Sequence, residues 1–163
     1  MATRETKFQS ELVKDMKAKG MHAFKASHQY STGVLDLYVR CKGVATWIEC
    51  KFIKIDESFR TQKVSMTTPQ FAFARRELEA GGNVAKIIGY TWSKRRGHDQ
   101  HGLFLCSPEH QDTQVIRPWL EDEIHPSHVI KVRGFAWPVD VIMSRIHLMG
   151  TDVSPYAHQE REE

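Results

Sequence analysis

Three side chains in the first third of the chain have the types and spacing for metal-assisted chemistry. Asp36 closes the run Gly33-Val34-Leu35-Asp36, and after twelve intervening residues comes Glu49-Cys50-Lys51. Both lie in β-prone stretches, Val34 to Val39 and Ala45 to Phe52, joined by the turn Cys41-Lys42-Gly43. Side chains alternate along a strand, so Glu49 and Lys51 share a face about 6–7 Å apart, while Cys50 points with Ile48 and Phe52 into a core. An antiparallel hairpin of the two stretches puts Asp36 beside Glu49. Neighbouring carboxylates repel unless a cation sits between them. Carboxylate oxygens with a backbone carbonyl, here that of Cys50, suit a hard ion such as Mg²⁺, with Mn²⁺ as a substitute. A lysine beside that ion could hold or deprotonate a water, or neutralise charge building on a phosphate. The bland alternative makes all three edge-strand charges in solvent. The Gly-led strand entry, a Glu on the preceding helix and a Gln on the following one weigh against it.

Other elements must hold these residues in place. Residues 4–19 read as an amphipathic helix: Phe8, Leu12 and Met16 recur every four positions, Val13 widens the stripe, and Gly20 is a natural stop. Glu11 lies one step from Leu12, and a carboxylate there is expected to look towards whatever the helix packs on. Met21 to Ala26 reads as a short first strand, and the polar stretch Ile53 to Thr67 as an exposed loop. Thr68 is expected to cap a second helix with Pro69 at its first position, running to about Glu79 and ending at Gly81-Gly82. Val84 to Thr91 and Leu103 to Cys106 read as strands around the basic loop Ser93 to His101. From Glu109 the pattern weakens. Val129 to Phe135 is a candidate strand, and Val139, Ile142, Ile146 and Met149 fit one helical face.

With 163 residues there is room for one domain with a proper core and not for two full ones. No apolar run approaches the ~20 residues of a membrane span. Glu5, Glu11 and Asp15 among the early lysines exclude a secretory signal and argue against a transit peptide. Three cysteines, Cys41, Cys50 and Cys106, lack metal-type spacing, so a reducing cell interior is the expected home. The net charge is +3; Thr151 to Glu163 carries −3, leaving +6 on the rest, which permits a phosphate-backbone partner without demanding one. No Walker loop, Gly-x-Gly-x-x-Gly or Gly-x-Ser-x-Gly is present, so nothing supports a nucleotide cofactor.

The order of these elements resembles the PD-(D/E)XK nuclease superfamily: helix with Glu11, strand, Gly33-Val34-Leu35-Asp36, Trp47-Ile48-Glu49-Cys50-Lys51, then helix with Gln70. The likeness is greatest to archaeal-type Holliday junction resolvases and virus-type replication-repair nucleases, whose Ser/Thr-x-x-Gln helix start is similar to Thr67-Thr68-Pro69-Gln70. It covers about residues 4–106; the motif's Pro is Leu35 here. The resemblance implies an α/β fold with an α-β-β-β-α-β core, a mixed sheet flanked by helices. On that division residues 1–106 are the nuclease core, 107–150 a C-terminal elaboration of the same domain and 151–163 an acidic solvated tail.

Carried over position by position, it implies Asp36 and Glu49 as metal ligands and Lys51 as the group that orients or activates the attacking water. It implies Glu11 as a further carboxylate, outside the ligand set or on a second metal, and Gln70 as a positioner of Lys51 or the scissile phosphate. The reaction implied is Mg²⁺-dependent hydrolysis of DNA to 5′-phosphate and 3′-hydroxyl ends, with a homodimer for symmetric cutting and branched DNA as substrate. A small polar residue ahead of the Asp strand is also suggested, from Ser27, His28, Ser31 and Thr32.

Lys25, Ser31, Lys54, Arg60, Lys63, Arg75, Arg76, Lys94, Arg95 and Arg96 flank the site as a group that could grip phosphates. Phe59 is either a wedge at an opened base step or a packed loop anchor. The pairs His98/His101 and His125/His128 lack partnering cysteines for zinc. Two other readings compete: a sequence-specific homing or restriction enzyme on the same fold, and a DNA-binding module without catalysis.

Overall fold

In the structure, a computed structural model, residues 3–26, 33–93, 99–117, 129–132 and 136–151 are described. The chain is α/β. Helix α1 (Arg4–Ala18) leads into β1 (His22–Lys25), β2 (Leu37–Cys41), β3 (Val44–Ile55) and β4 (Thr61–Ser65). Helix α2 (Thr68–Glu79) follows, then β5 (Asn83–Trp92), β6 (Gln100–Cys106), β7 (Asp112–Ile116), β8 (Val129–Val132) and α3 (Val139–Thr151). Six strands form one mixed sheet in the order β1-β2-β3-β5-β6-β8, and β4 pairs with β7 in a separate ribbon. Within the sheet β3 and β5 run parallel, and the other neighbours are antiparallel.

The expected α-β-β-β-α-β order is therefore present, with β4 inserted before α2. One face of the sheet packs on α1 and α3 through Phe8, Leu12, Met16, Ile48, Cys50, Ile87, Leu105, Ile142 and Met143. The other face carries two smaller clusters. Leu35, Val84 and Trp47 pack with Ala74, Phe73 and Leu78 of α2, and Ile53, Ile88, Tyr90 and Phe104 pack with Val64 and Val115 of the ribbon. Helix α3 thus belongs to the main core. No helix among the described residues is long and apolar enough to cross a membrane.

Two local expectations are corrected. The segment Ile53 to Thr67 is not one loop: β3 runs on to Ile55, and Thr61–Ser65 is a strand. Four of the five β4 side chains face solvent and only Val64 is buried, so no apolar alternation marks it. Strand β7 escaped notice for the same reason. The N-cap of α2 is Thr67, not Thr68: its hydroxyl accepts from the Gln70 N–H, and the Gln70 side chain accepts from the Thr67 N–H. Pro69 is consequently the second helical residue.

Gly33 is required where α2 meets the strand that carries Asp36. Its φ is +94°, and a Cβ there would lie 2.6 Å from the Pro69 Cβ. Any side chain must strain the backbone and push α2 away. Gly33→Ala is expected to destabilise the protein by about 2–4 kcal/mol, read as a lower urea midpoint with an unchanged slope; an unshifted midpoint would show that the α2 contact yields freely.

Candidate active site

Strand β2 pairs with β3 only up to Leu37↔Ile48, whereas β5 pairs with β3 out to Ile55↔Trp92. Past Ile48 one flank of β3 is left without a strand, and carboxylates take its place. The Cys50 N–H donates to Asp36 Oδ2 at 2.9 Å, and Glu5 lies close enough for the Phe52 N–H and the Lys51 charge to act on its carboxyl. A residue in a strand turns its N–H and C=O to the same flank, so the Cys50 carbonyl looks onto this edge too. Glu49 and Lys51, one residue either side of Cys50, point to the face away from α1, and Lys51 Nζ lies 2.6 Å from Glu49 Oε1. Asp36 lies close enough to Glu49 for each charge to act on the other.

These groups are hidden from water. Glu49 is 0% exposed and Asp36 7%. Glu49 Oε2 finds no donor among the described residues. Burial, then the charge of Asp36, pushes the Glu49 carboxyl up to about 7, with Lys51 pulling the other way. Burial also raises Asp36, against the Cys50 N–H and the Lys51 charge, and it raises Glu5. Burial works to lower the Lys51 pKa, but its hydrogen bond to Glu49 and the charges of Glu49, Glu5 and Asp36 outweigh that. Lys51 is held above the usual lysine range and is a cation at neutral pH.

Two crowded, buried carboxyls hold charge that a bound cation would offset. Among the described residues no three His, Cys, Asp or Glu side chains gather into a ready-made metal cage. Mg²⁺ does not need one, since it is typically held by one or two carboxylates with waters and substrate phosphates filling the rest. Asp36, Glu49 and the Cys50 carbonyl fit that donor set.

Glu11 is not part of this cluster. It is exposed and accepts from Trp137 Nε1 at 3.4 Å, on the rim of a cleft of about 340 Å³ shared with Arg4, Lys7 and Lys54. The helical glutamate that reaches the site is Glu5. At about 100° per residue, Glu5 lies in line with the buried Phe8, Gln9, Leu12 and Met16, whereas Glu11 is turned roughly 120° away. The signal was in the sequence: extending the apolar stripe towards the N-terminus by one turn lands on Glu5.

The remaining expected residues divide. Gln70 spends its side-chain oxygen on the Thr67 N–H and hydroxyl, at 3.0 and 2.9 Å, inside the α2 cap. Lys25 donates to the Thr6 carbonyl at 3.0 Å, close enough for its charge to act on Asp36. Lys63 and Arg75 make exposed ion pairs with Asp112 and Glu79, which water screens. Arg60 and Arg76 are exposed, and Phe59 packs against the ribbon cluster as a loop anchor. Trp137 packs edge-on against Phe8. Ser27, His28, Ser31, Thr32, Lys94, Arg95, Arg96, His98, His125 and His128 lie outside the described residues.

Lys86 is a further charged group that periodicity along one strand could not find. It stands beside Glu49 in the β3–β5 register, is 0% exposed, and donates to the carbonyls of His110 and Gln111 at 3.0 and 3.3 Å. Burial lowers its pKa. Gln111 in turn donates from Nε2 to the Met66 carbonyl at 3.1 Å. Lys86 therefore ties the ribbon base to the segment leading into α2.

No family model matches the chain, and no curated protein matches it. Among solved structures it is similar to Hjc, a Holliday junction resolvase of the archaeal hyperthermophile Archaeoglobus fulgidus, with a TM-score of 0.45 and 11% identity. That similarity covers 71% of this chain and 85% of Hjc.

Proposed function

We propose that this chain is a Mg²⁺-dependent endonuclease, with Mn²⁺ as a working substitute, that hydrolyses DNA phosphodiester bonds at branched structures as a homodimer. One observation carries the reading: Asp36 and Glu49 are buried side by side, with Lys51 2.6 Å from Glu49, at an edge where β3 has lost its strand partner. Binding alone would gain nothing from clustered carboxylates facing an anionic ligand. Asp36, Glu49 and the Cys50 carbonyl would hold the ion. When bound, a hard divalent ion supplies Lewis-acid polarisation of the phosphoryl oxygen and a more acidic water. Lys51, protonated, donates to the attacking water or to the phosphate oxygen that gains charge. Glu5 adds a further carboxyl at the far end of the row, near Asp36 and Lys51. Two such sites, one per protomer, would cut two strands symmetrically.

The test is cleavage of a labelled four-way junction, a flap and a matching linear duplex by wild type and Lys51→Ala, in Mg²⁺ and then in EDTA. Junction cutting that needs Mg²⁺ is expected, with Lys51→Ala slower by about 10²–10³-fold and junction affinity little changed. Cutting that survives EDTA or the loss of Lys51 would overturn the mechanism. Discrete fragments from genomic DNA with the junction untouched would instead make this a sequence-specific enzyme.

A further inference from the structure

Beside the carboxylates runs a second row of side chains whose chemistry the hydrolysis does not use. Phe24, Tyr38 and Trp47 lie directly across from one another on β1, β2 and β3, and the row ends on Phe73 of α2. Their ring centroids are 5.1–5.2 Å apart from each to the next. His22 extends the row at 5.6 Å from Phe24. All project from the face opposite α1. Helix α2 covers the Trp47 end of this row, while Phe24 is 39% exposed and Tyr38 half-buried.

The neighbouring rows have fixed chemistry. Two residues along each strand from Tyr38 and Trp47, in one direction, stand Asp36 and Glu49, about 6–7 Å away. Two residues in the other direction from Tyr38 stands Arg40, exposed, opposite His22. Neither β1, β2 nor the β3 segment Val44 to Ile48 contains an acidic residue, whereas Arg40 and Lys42 are cationic. The face thus reads, across a width of about two nucleotide steps, as phosphate site, aromatic platform, cation.

We propose that this face binds unpaired nucleotides next to the scissile phosphate, with bases stacked on Phe24 and Tyr38 and the following phosphate held by Arg40. The substrate would then be DNA with a single-stranded segment at the cleavage point. Aromatic rings interleaved with cations on an open sheet are the general device for single-stranded nucleic acid, because every base has a face to stack while a duplex hides its own. A second copy of this chain fits less well. A self-complementary two-fold contact of this face would offer Arg40 and Lys42 no acidic partner, since β1, β2 and the segment Val44 to Ile48 contain none. The placement of the scissile phosphate rests on the nuclease reading; the binding does not.

The experiment measures binding of the full chain, in EDTA, to a blunt duplex and to the same duplex carrying a short unpaired tail on either strand. The tailed duplex should bind about tenfold tighter. Phe24→Ala and Arg40→Gln should each remove most of that preference, and Phe24→Trp should keep it. Phe24 is partly exposed, so its removal should leave the melting temperature nearly unchanged, and Arg40→Gln tests the same face without altering a ring. Equal binding of the two probes, or a preference that survives both Phe24→Ala and Arg40→Gln, overturns the proposal. So does a dimer that Phe24→Ala splits while tailed and blunt probes bind alike, which would make the face an interface between copies. Failure of the nuclease reading looks different: the tail preference holds, and Mg²⁺ produces no cutting of any probe.

Discussion

Glu49→Gln is expected to raise the melting temperature of the metal-free protein at pH 8 by about 5–10 °C while abolishing Mg²⁺-dependent hydrolysis. The reason lies in the sign of the pKa shift. Folding raises the Glu49 pKa from 4.5 to about 7, so between those values the native state holds more protons than the unfolded chain. Stability is then greatest below pH 4.5 as far as this group is concerned, and falls as pH rises through 7. The loss amounts to about 3 kcal/mol, and the raised pKa values of Asp36 and Glu5 add to it with the same sign. A neutral glutamine removes the largest part of that loss. Mg²⁺ should reverse the slope in wild type, because it binds the ionised carboxylates of the native state alone. Thermal melts of both proteins from pH 5 to pH 8, with Mg²⁺ and with EDTA, check all of this. A Glu49→Gln protein less stable than wild type at pH 8 in EDTA would mean that the Lys51 ion pair outweighs the burial of the charge.

Glu5→Gln should slow junction cleavage by about 10–100-fold, the usual effect of disturbing a group that orients a metal's ligands, while Glu11→Gln should leave it unchanged. Glu5 shares the open flank of β3 with Asp36 and feels the Lys51 charge, whereas Glu11 faces the Trp137 indole. The Mg²⁺ concentration for half-maximal rate should rise for Glu5→Gln alone. The opposite ranking would place the Glu11 cleft, with Arg4, Lys7 and Lys54, at the point of reaction.

How much of this was legible depends on how far apart the cooperating residues are. The hairpin of β2 and β3, the shared face of Glu49 and Lys51 and the inward Cys50 all follow from alternation over a few residues. The α1 stripe is legible too, but nearness to Leu12 singles out Glu11, whereas the angle on the helix puts Glu5 beside Asp36 and Lys51. The ribbon was not legible, because β4 and β7 are separated by about fifty residues and bury only one side chain each, Val64 and Val115. Lys86 shows the limit most plainly. A lysine in an apolar strand looks like an edge charge until a carbonyl pair from a distant segment arrives to accept its hydrogen bonds.

The open flank of β3 has one more consequence. An unpaired strand edge is a template for a strand from another molecule, and here the Cys50 and Phe52 N–H groups would offer it two donors. Asp36 occupies the Cys50 donor and, with Glu5 beside it, places negative charge where an incoming backbone carbonyl would have to sit. The carboxylates assigned to phosphodiester chemistry thereby also keep the sheet from growing, and a variant that loses both should become prone to ordered self-assembly through β3.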